Sequence, residues 1–404
     1  MRTFPEPGQK PTSPTPLAGF VAHPLVLASA WVACVLVLHA IVAAVHYPLR
    51  DADSTLYESI SEQLSRRPLR EWIAPFFPPE RFKEGLFLEH PAAFFWPAAA
   101  LGTLGFARGA LLANFLYFLG SLYLLFRLAA ALADRAVGWA AVGSYLFSPL
   151  GIQYLLRANH ENAWGLAYLG GFWCLHEMPR SRWFGLGFAL FGVFAFAMKG
   201  VLGLSFWPVM IAWWVIVSRR RKDAVWFALG VVLIALFSGL YELAFRRATG
   251  QGFFAGYLGT QIGYVAFYEQ RPLWGKLVNP FYYLLHLLWF SFPGSILAAW
   301  GMWRSRRRAE AFTATQWLAV AGSGGTVALL SLMTRRAPRY IFPAYALVHV
   351  PGAETVLRRL PRLRGFLERR AAWLPYLLMA SLLVVLPLRI AVDQRFYRFL
   401  RFIE

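Results

Sequence analysis

Runs of apolar residues about as long as a bilayer is thick recur along this chain. Residues 25–45 and 224–240 contain no Asp, Glu, Lys or Arg, and each is at or near the ~20 residues a helix needs to cross a hydrocarbon core. Similar runs return through most of the 404 residues, 58% of which are hydrophobic. The implied fold is an all-α polytopic membrane protein. The chain is also strongly basic, with 40 Lys and Arg against 20 Asp and Glu, a formal charge of +20. In a soluble domain that excess points to phosphate backbones. Here it accompanies 17 Trp, 35 Phe and long uncharged runs, so no nucleic-acid partner is expected.

Cys34 and Cys174 sit inside apolar runs and read as small buried hydrophobes, with neither a disulfide framework nor a zinc pattern. Residues 1–23, rich in Pro, Ser and Thr, read as a disordered cytoplasmic tail. The first apolar run starts late and is long enough to remain as an anchor, unlike a cleaved signal peptide.

We expect spans at 24–46, 110–132, 137–154, 163–177, 183–198, 201–217, 224–243, 280–301, 314–333, 340–353 and 372–391, about eleven helices. The segment 91–106 is short, starts at Pro91 and has Pro97 inside it, and it decides which side all later loops face. Short cytoplasmic loops collect Lys and Arg. If 91–106 does not span and the N-terminus is cytoplasmic, then Arg135, Arg180, Arg182 and the basic clusters at 219–222, 304–308 and 358–370 all fall inside. If it spans, the clusters beyond it move outside. The segment is therefore read as an interfacial or re-entrant helix on the outer face. Arg246, Arg247, Arg335 and Arg336 stay outside, so the rule holds as a bias. Two outer loops result, 47–109 and 244–279, the first carrying a surface helix with Leu56, Ile60 and Leu64 on one face. No internal repeat, phosphate-binding glycine loop or metal-ligand cluster is visible.

Charged groups at the edge of apolar helices are functional candidates by default, and this topology gathers several on the outer side. Asp51 and Asp53 follow the first span, with Tyr57 one turn on; Asp53 reads as a solvated loop charge, a helix N-cap or a catalytic carboxylate. Glu89 and His90 precede the aromatic Phe94, Phe95 and Trp96, an interfacial anchor or part of a site. Arg157, His160 and Glu161 lie between two spans, and Arg157 and Glu161 are spaced to pair along a helix. Lys199-Gly200 joins two apolar runs with almost no loop; a snorkelling Lys is the bland reading. Arg335, Arg336 and Arg339 call for an anion, either headgroups or a bound phosphate. Acids beside cations at membrane depth suit transfer of a group from a lipid phosphate. The carboxylate takes the acceptor proton and the cations stabilise charge on the departing phosphate.

These motifs resemble the GT-C polyprenyl-phosphate-sugar glycosyltransferases, which include bacterial relatives of protein O-mannosyltransferases and the lipid A aminoarabinose transferases. Asp53 stands four residues before Tyr57, as in the family's Asp-Glu-x-x-Tyr pattern, with Ser54 in place of Glu. Leu88-Glu89-His90-Pro91 before Phe94-Phe95-Trp96 is similar to the family's Glu-Lys-Pro-Pro-Leu-Tyr-Tyr-Trp, with His90 replacing Lys and Ala92 the second Pro. Lys199-Gly200, the Tyr-rich stretch from Asn279 to Tyr283 with Phe292-Pro293, and Arg339-Tyr340-x-x-Pro343 also resemble recurring family features, and Glu161 falls where many members have an outer-loop Asp.

The resemblance implies a GT-C-like module over 24–353 with juxtamembrane helices in its first outer loop. A basic cytoplasmic loop, 354–371, follows, then a last span and short outer tail over 372–404. It implies an integral membrane glycosyltransferase, a hexosyl or pentosyl transferase of the bacterial inner membrane. Such an enzyme moves sugar from a polyprenyl-monophosphate donor to a protein or glycolipid acceptor on the outer face. Its implied assignments are Asp53 and Glu161 as catalytic acids and Lys199, Arg339, His90 and Arg336 as phosphate ligands. Tyr57, Glu89, Arg157, His160 and Tyr340 line the pocket around them. No residue is assigned to a metal, and a divalent cation is the one cofactor left open. The alternatives are a transporter or flippase of a lipid-linked anion, which would more commonly show repeats and midplane polar groups, and a non-catalytic family member.

Overall fold

The computed structural model describes residues 24–44, 52–78, 85–155, 157–218, 220–259, 277–333 and 336–403. The expected tail over 1–23, Asp51, Arg219, Arg335 and residues 260–276 lie outside the described residues. Among the described residues there is no strand, only an isolated bridge between Phe76 and Leu86. This suits lipid, where a helix satisfies its own backbone polar groups.

The order begins with α1 (Pro24–Ala44), α2 (Ala52–Ser65), α3 (Trp96–Thr103), α4 (Gly109–Leu132), α5 (Arg135–Leu146) and α6 (Pro149–Leu155). It continues with α7 (Glu161–Glu177), α8 (Arg182–Lys199), α9 (Phe206–Trp213), α10 (Ala224–Thr249), α11 (Phe253–Tyr257), α12 (Asn279–Phe290) and α13 (Gly294–Arg307). It ends with α14 (Ala314–Leu318), α15 (Gly325–Leu330), α16 (Phe342–Leu347), α17 (His349–Leu357), α18 (Pro361–Arg369) and α19 (Leu374–Ile403). Five helical stretches among these are long and apolar enough to cross a membrane: Leu25–Ala44, Gly109–Leu132, Arg182–Val217, Arg221–Thr249 and Leu374–Ala391. Exposed Val225, Val231, Val232, Leu236 and Leu240 along α10 give that helix the apolar outer surface that lipid requires. The chain is a multi-pass membrane protein.

Some expected spans take a different form. The single span at 280–301 is two helices, α12 and α13, bent by 111°. The segment 314–333 passes through a π-helical stretch at Ala319–Gly324, and 137–154 is divided into α5 and α6. The stretch from Arg182 to Val217 is continuous in helical character yet folds back on itself. A Cβ on Gly203 would fall 2.2 Å from the Ala195 carbonyl oxygen, and one on Gly192 would meet the Trp207 ring at 2.4 Å. The reversal is at Gly200, whose φ of +59° is open to glycine at little cost. A Cβ there would also strike the Tyr257 hydroxyl at 2.1 Å.

The basic segments gather at one end of the bundle. Arg364 bridges to Asp134 beside Arg135, Trp226 packs on Gly185 near Arg182, and arginines of α13 and of the α17 end share one pocket. At the other end α2 lies across the helix tips, burying Leu56, Tyr57, Ile60 and Leu64 on a single face. Each such side chain is worth roughly 1.5–3 kcal/mol when fully buried. The eight residues of α3 rise only about 12 Å, far short of a ~30 Å core, so α3 by itself does not span one.

The contact of α2 with the start of α4 makes a pH-sensitive joint. The Glu58 carboxyl faces the backbone N–H groups of Ala110 and Leu111, with Arg108 nearby. Burial pushes its pKa up to about 7 from the usual 4.5, against the opposing pull of Arg108. The folded chain therefore holds this proton more tightly than the unfolded chain does, and stability falls as pH rises from about 4.5 through 7. Glu58→Gln should flatten that decline in thermal unfolding of the detergent-solubilised protein; an unchanged pH slope would contradict the joint.

Candidate active site

The site grows from the start of α2. Asp53 lies within the first turn rather than at the cap, where the helix dipole favours a negative charge. Its carboxylate meets the guanidinium of Arg339 in an ion pair whose two side chains are each about 30% exposed. Arg339 is presented by a 3-10 turn, Pro338–Ile341, and the Tyr345 hydroxyl fastens that turn by donating to the Pro338 carbonyl at 2.9 Å. Next to Asp53, Ser54 accepts the backbone N–H of Ala158 at 3.1 Å. A position that sequence comparison marked only as a departure thus ties α2 to the loop before α7.

That loop delivers Glu161 to the first turn of α7, fully buried. Arg157 does not pair with it four residues on; its guanidinium lies over the Tyr154 ring, 4.6 Å from the centroid. Glu161 Oε1 instead accepts from Lys199 Nζ at 3.2 Å, across two helices, with both side chains out of reach of water. Lys199 also sits 5.5 Å from the Trp164 ring centroid, a cation–π contact strengthened by burial. The backbone turn that holds Lys199 is secured by Tyr257, whose hydroxyl oxygen accepts the Val201 N–H at 2.5 Å. Neither Trp164 nor Tyr257 was singled out by sequence reasoning; Trp164 follows Glu161 at helical spacing, the one signal that could have found it.

The aromatic stretch between α2 and α3 closes the site. Phe87 N–H donates to the Pro75 carbonyl at 2.8 Å, and Ala92 N–H donates to Tyr241 of α10 at 2.7 Å, so His90 is held from both sides. Its ring packs on that of His160 at 4.7 Å, and Tyr57 and Phe94 pack on His160 at 5.5 and 5.6 Å. His160 Nε2 approaches Glu161 Oε1 at 3.4 Å. Burial first, and then the neighbouring Lys199, hold the His90 imidazole well below its usual 6.5. His90 is therefore neutral at physiological pH and can donate or accept one hydrogen bond without adding charge.

The structure thus brings Asp53 together with Arg339, and Glu161 with Lys199, His160, His90 and Tyr57. Tyr340 is buried beside Arg339 and Glu89 is partly exposed beside His90. Arg336 is tied elsewhere: its Nε donates to Asn279 Oδ1 at 2.5 Å, and the Asn279 amide donates to the Ser331 and Met333 carbonyls. Among the described residues no group of three or more His, Cys, Asp or Glu gathers in a manner that would hold a metal ion.

The helical frame has the fold of known GT-C structures. ArnT from Cupriavidus metallidurans bound to undecaprenyl phosphate superposes with a TM-score of 0.67 at 16% identity, covering 83% of this chain and 60% of that one. The apo state of the same ArnT gives 0.62 at 16%, covering 84% and 62%. The archaeal oligosaccharyltransferase AglB from Archaeoglobus fulgidus, in complex with an inhibitory peptide and a dolichol-phosphate, gives 0.51 at 12%, covering 89% and 55%. The chain spans about 60% of the length of the ArnT it matches. No protein-family model matches the sequence, and no curated protein is similar to it in sequence.

Because Glu161 and Lys199 are 0% and 2% exposed, removing one strands the other's charge. Lys199→Ala should destabilise the fold by about 3–5 kcal/mol, and Glu161→Gln added to it should recover a large part of the loss. Chemical unfolding in detergent reads both; a single variant as stable as wild type would contradict the buried pair.

Proposed function

We propose that this chain is an integral membrane glycosyltransferase that moves a sugar from a polyprenyl-phosphate donor to an acceptor on the outer face of the membrane. The observation that carries the reading is the partly exposed Asp53–Arg339 pair and the buried Glu161–Lys199 pair, linked by the bond from Ala158 to Ser54. A base and two cations meet at the end of the bundle away from its basic clusters. The likeness in fold to ArnT bound to undecaprenyl phosphate and to AglB with dolichol-phosphate supports a polyprenyl-phosphate partner.

In this reading the donor phosphate competes with Asp53 for Arg339. Charge-assisted bonds from Arg339 and Lys199 hold the phosphate, and neutral His90 adds a donor. Asp53, released from its partner, takes the proton of the acceptor nucleophile. A bond forms from that nucleophile to the sugar's anomeric carbon as the bond from that carbon to the phosphate oxygen breaks. The electron pair stays on the departing phosphate, where the fixed cations stabilise it. Glu161 keeps Lys199 oriented, and Tyr57, His160, Arg157, Glu89 and Tyr340 shape the surrounding wall. Arg336, bound to Asn279, serves the approach rather than the reacting phosphate. The module 24–353 carries the chemistry. The basic segments lie on the cytoplasmic side of a bacterial inner membrane, with the N-terminus, and acceptor choice falls to the outer loops.

Mass spectrometry of cell-envelope glycolipids and glycoproteins from cells with and without the chain tests the activity. A sugar modification should be present with wild type and fall by about 10²–10⁴-fold with Asp53→Asn, at equal membrane abundance. Wild-type levels of modification with Asp53→Asn would overturn the assignment.

A further inference from the structure

The opposite end of the bundle holds a second organised set of cations. Between the end of α13 and the end of α17 lies a small pocket of about 170 Å³, into which Arg304, Arg308, Arg358 and Arg359 point from two helices. From Pro338 to Leu357 the chain is helical almost without a break, so at 1.5 Å per residue the pocket lies roughly 28 Å from Arg339. That is about the thickness of a hydrocarbon core.

This set differs from a solvated run of positive charge. Arg359 lies flat on the Trp300 ring, 3.6 Å from the centroid, which fixes its fork without neutralising it. Arg358 donates to Glu354 at 2.6 Å, and the same carboxylate accepts from the Thr313 and Thr315 hydroxyls. Glu354 is therefore committed to its own neighbours. Glu310 is only 3.7 Å from Arg308, with both side chains half exposed, a weak pair. Arg304 and Arg359 have no carboxylate partner among the described residues. The floor is polar and buried: Gln316 and Ser305 are each 5% exposed and bonded to one another at 3.0 Å. Positive forks, a satisfied acid and a hydroxyl-lined floor suit a phosphate, whose oxygens accept from several arginines at once.

The surroundings identify where that phosphate comes from. Exposed Trp303, stacked with Arg307 at 4.3 Å, and exposed Leu360 flank the pocket. Beyond them α18 exposes Leu363 and Phe366 on a helix rich in arginine, the pattern of a helix lying at a lipid interface. We propose that this pocket binds the phosphate of an anionic phospholipid, in the leaflet opposite the Asp53–Arg339 pair. The site is separate from the proposed catalytic one and stands whether or not that reading holds.

Native mass spectrometry and thermal unfolding of the full chain in nonionic detergent, titrated with phosphatidylglycerol, phosphatidylcholine or inorganic phosphate, test the site. Phosphatidylglycerol should remain bound and raise the unfolding temperature saturably, while phosphatidylcholine and inorganic phosphate should not. Arg304→Gln with Arg359→Gln should weaken phosphatidylglycerol binding by about tenfold or more, and Arg306→Gln, outside the pocket, should not. If the double variant fails to fold, the single Arg304→Gln, which leaves the Trp300 stack intact, carries the same comparison. Equal retention of phosphatidylcholine, or undiminished binding by Arg304→Gln, would overturn the site. Equal protection by inorganic phosphate would overturn its assignment to a lipid.

Discussion

Two opposite charges withdrawn from water at the tips of membrane helices constrain everything around them. Glu161 and Lys199 are buried together, and neither tolerates that depth alone, because an uncompensated charge there costs several kcal/mol. Their meeting requires α7 to start where it does and α8 to end where it does. The chain must then turn within one residue, the task of Gly200 with its positive φ. The turn is braced by Tyr257 of α11, and the loop before α7 is braced by Ser54 of α2. The two ends of this ion pair are thus fastened to the frame by Tyr257 and by Ser54, the neighbour of Asp53.

Much of this was legible in sequence. Apolar run length exposes a polytopic helical protein, and the positions of Asp53, Glu161, Lys199, His90 and Arg339 at run ends mark them before any coordinates. Partners were harder to read, because a helical spacing rule sees only a few residues ahead. Arg157 and Glu161 satisfy that rule, yet Glu161 takes Lys199, 38 residues away, and Arg157 takes an aromatic face. A buried carboxylate gains more from a desolvated ammonium than from an arginine that reaches water. The bond from Arg336 Nε to Asn279, 57 residues away, was equally out of reach of any spacing rule. The 111° bend between α12 and α13 was hidden because hydropathy reports how apolar a stretch is, not where it changes direction.

Charge also divides by end in a way that composition hides. The total of +20 combines clusters that gather at one end with a few cations set beside acids at the other. At the proposed outer end Lys199 is matched by Glu161 and Arg339 by Asp53. At the far end arginines exceed the acids that face them, and in the pocket between α13 and α17 that surplus is fixed in place by Trp300 and Glu354. Matched pairs suit a site where a phosphate arrives and leaves by exchanging partners. Fixed surplus charge suits one where an anion stays.

In the proposed reaction a lipid phosphate exchanges with Asp53 for Arg339 and also meets Lys199. A high-resolution structure of the purified chain with undecaprenyl phosphate tests this directly. Phosphate density should lie within hydrogen-bond reach of both Arg339 and Lys199, with the Asp53–Arg339 pair opened. Phosphate bound elsewhere with that pair intact would contradict it.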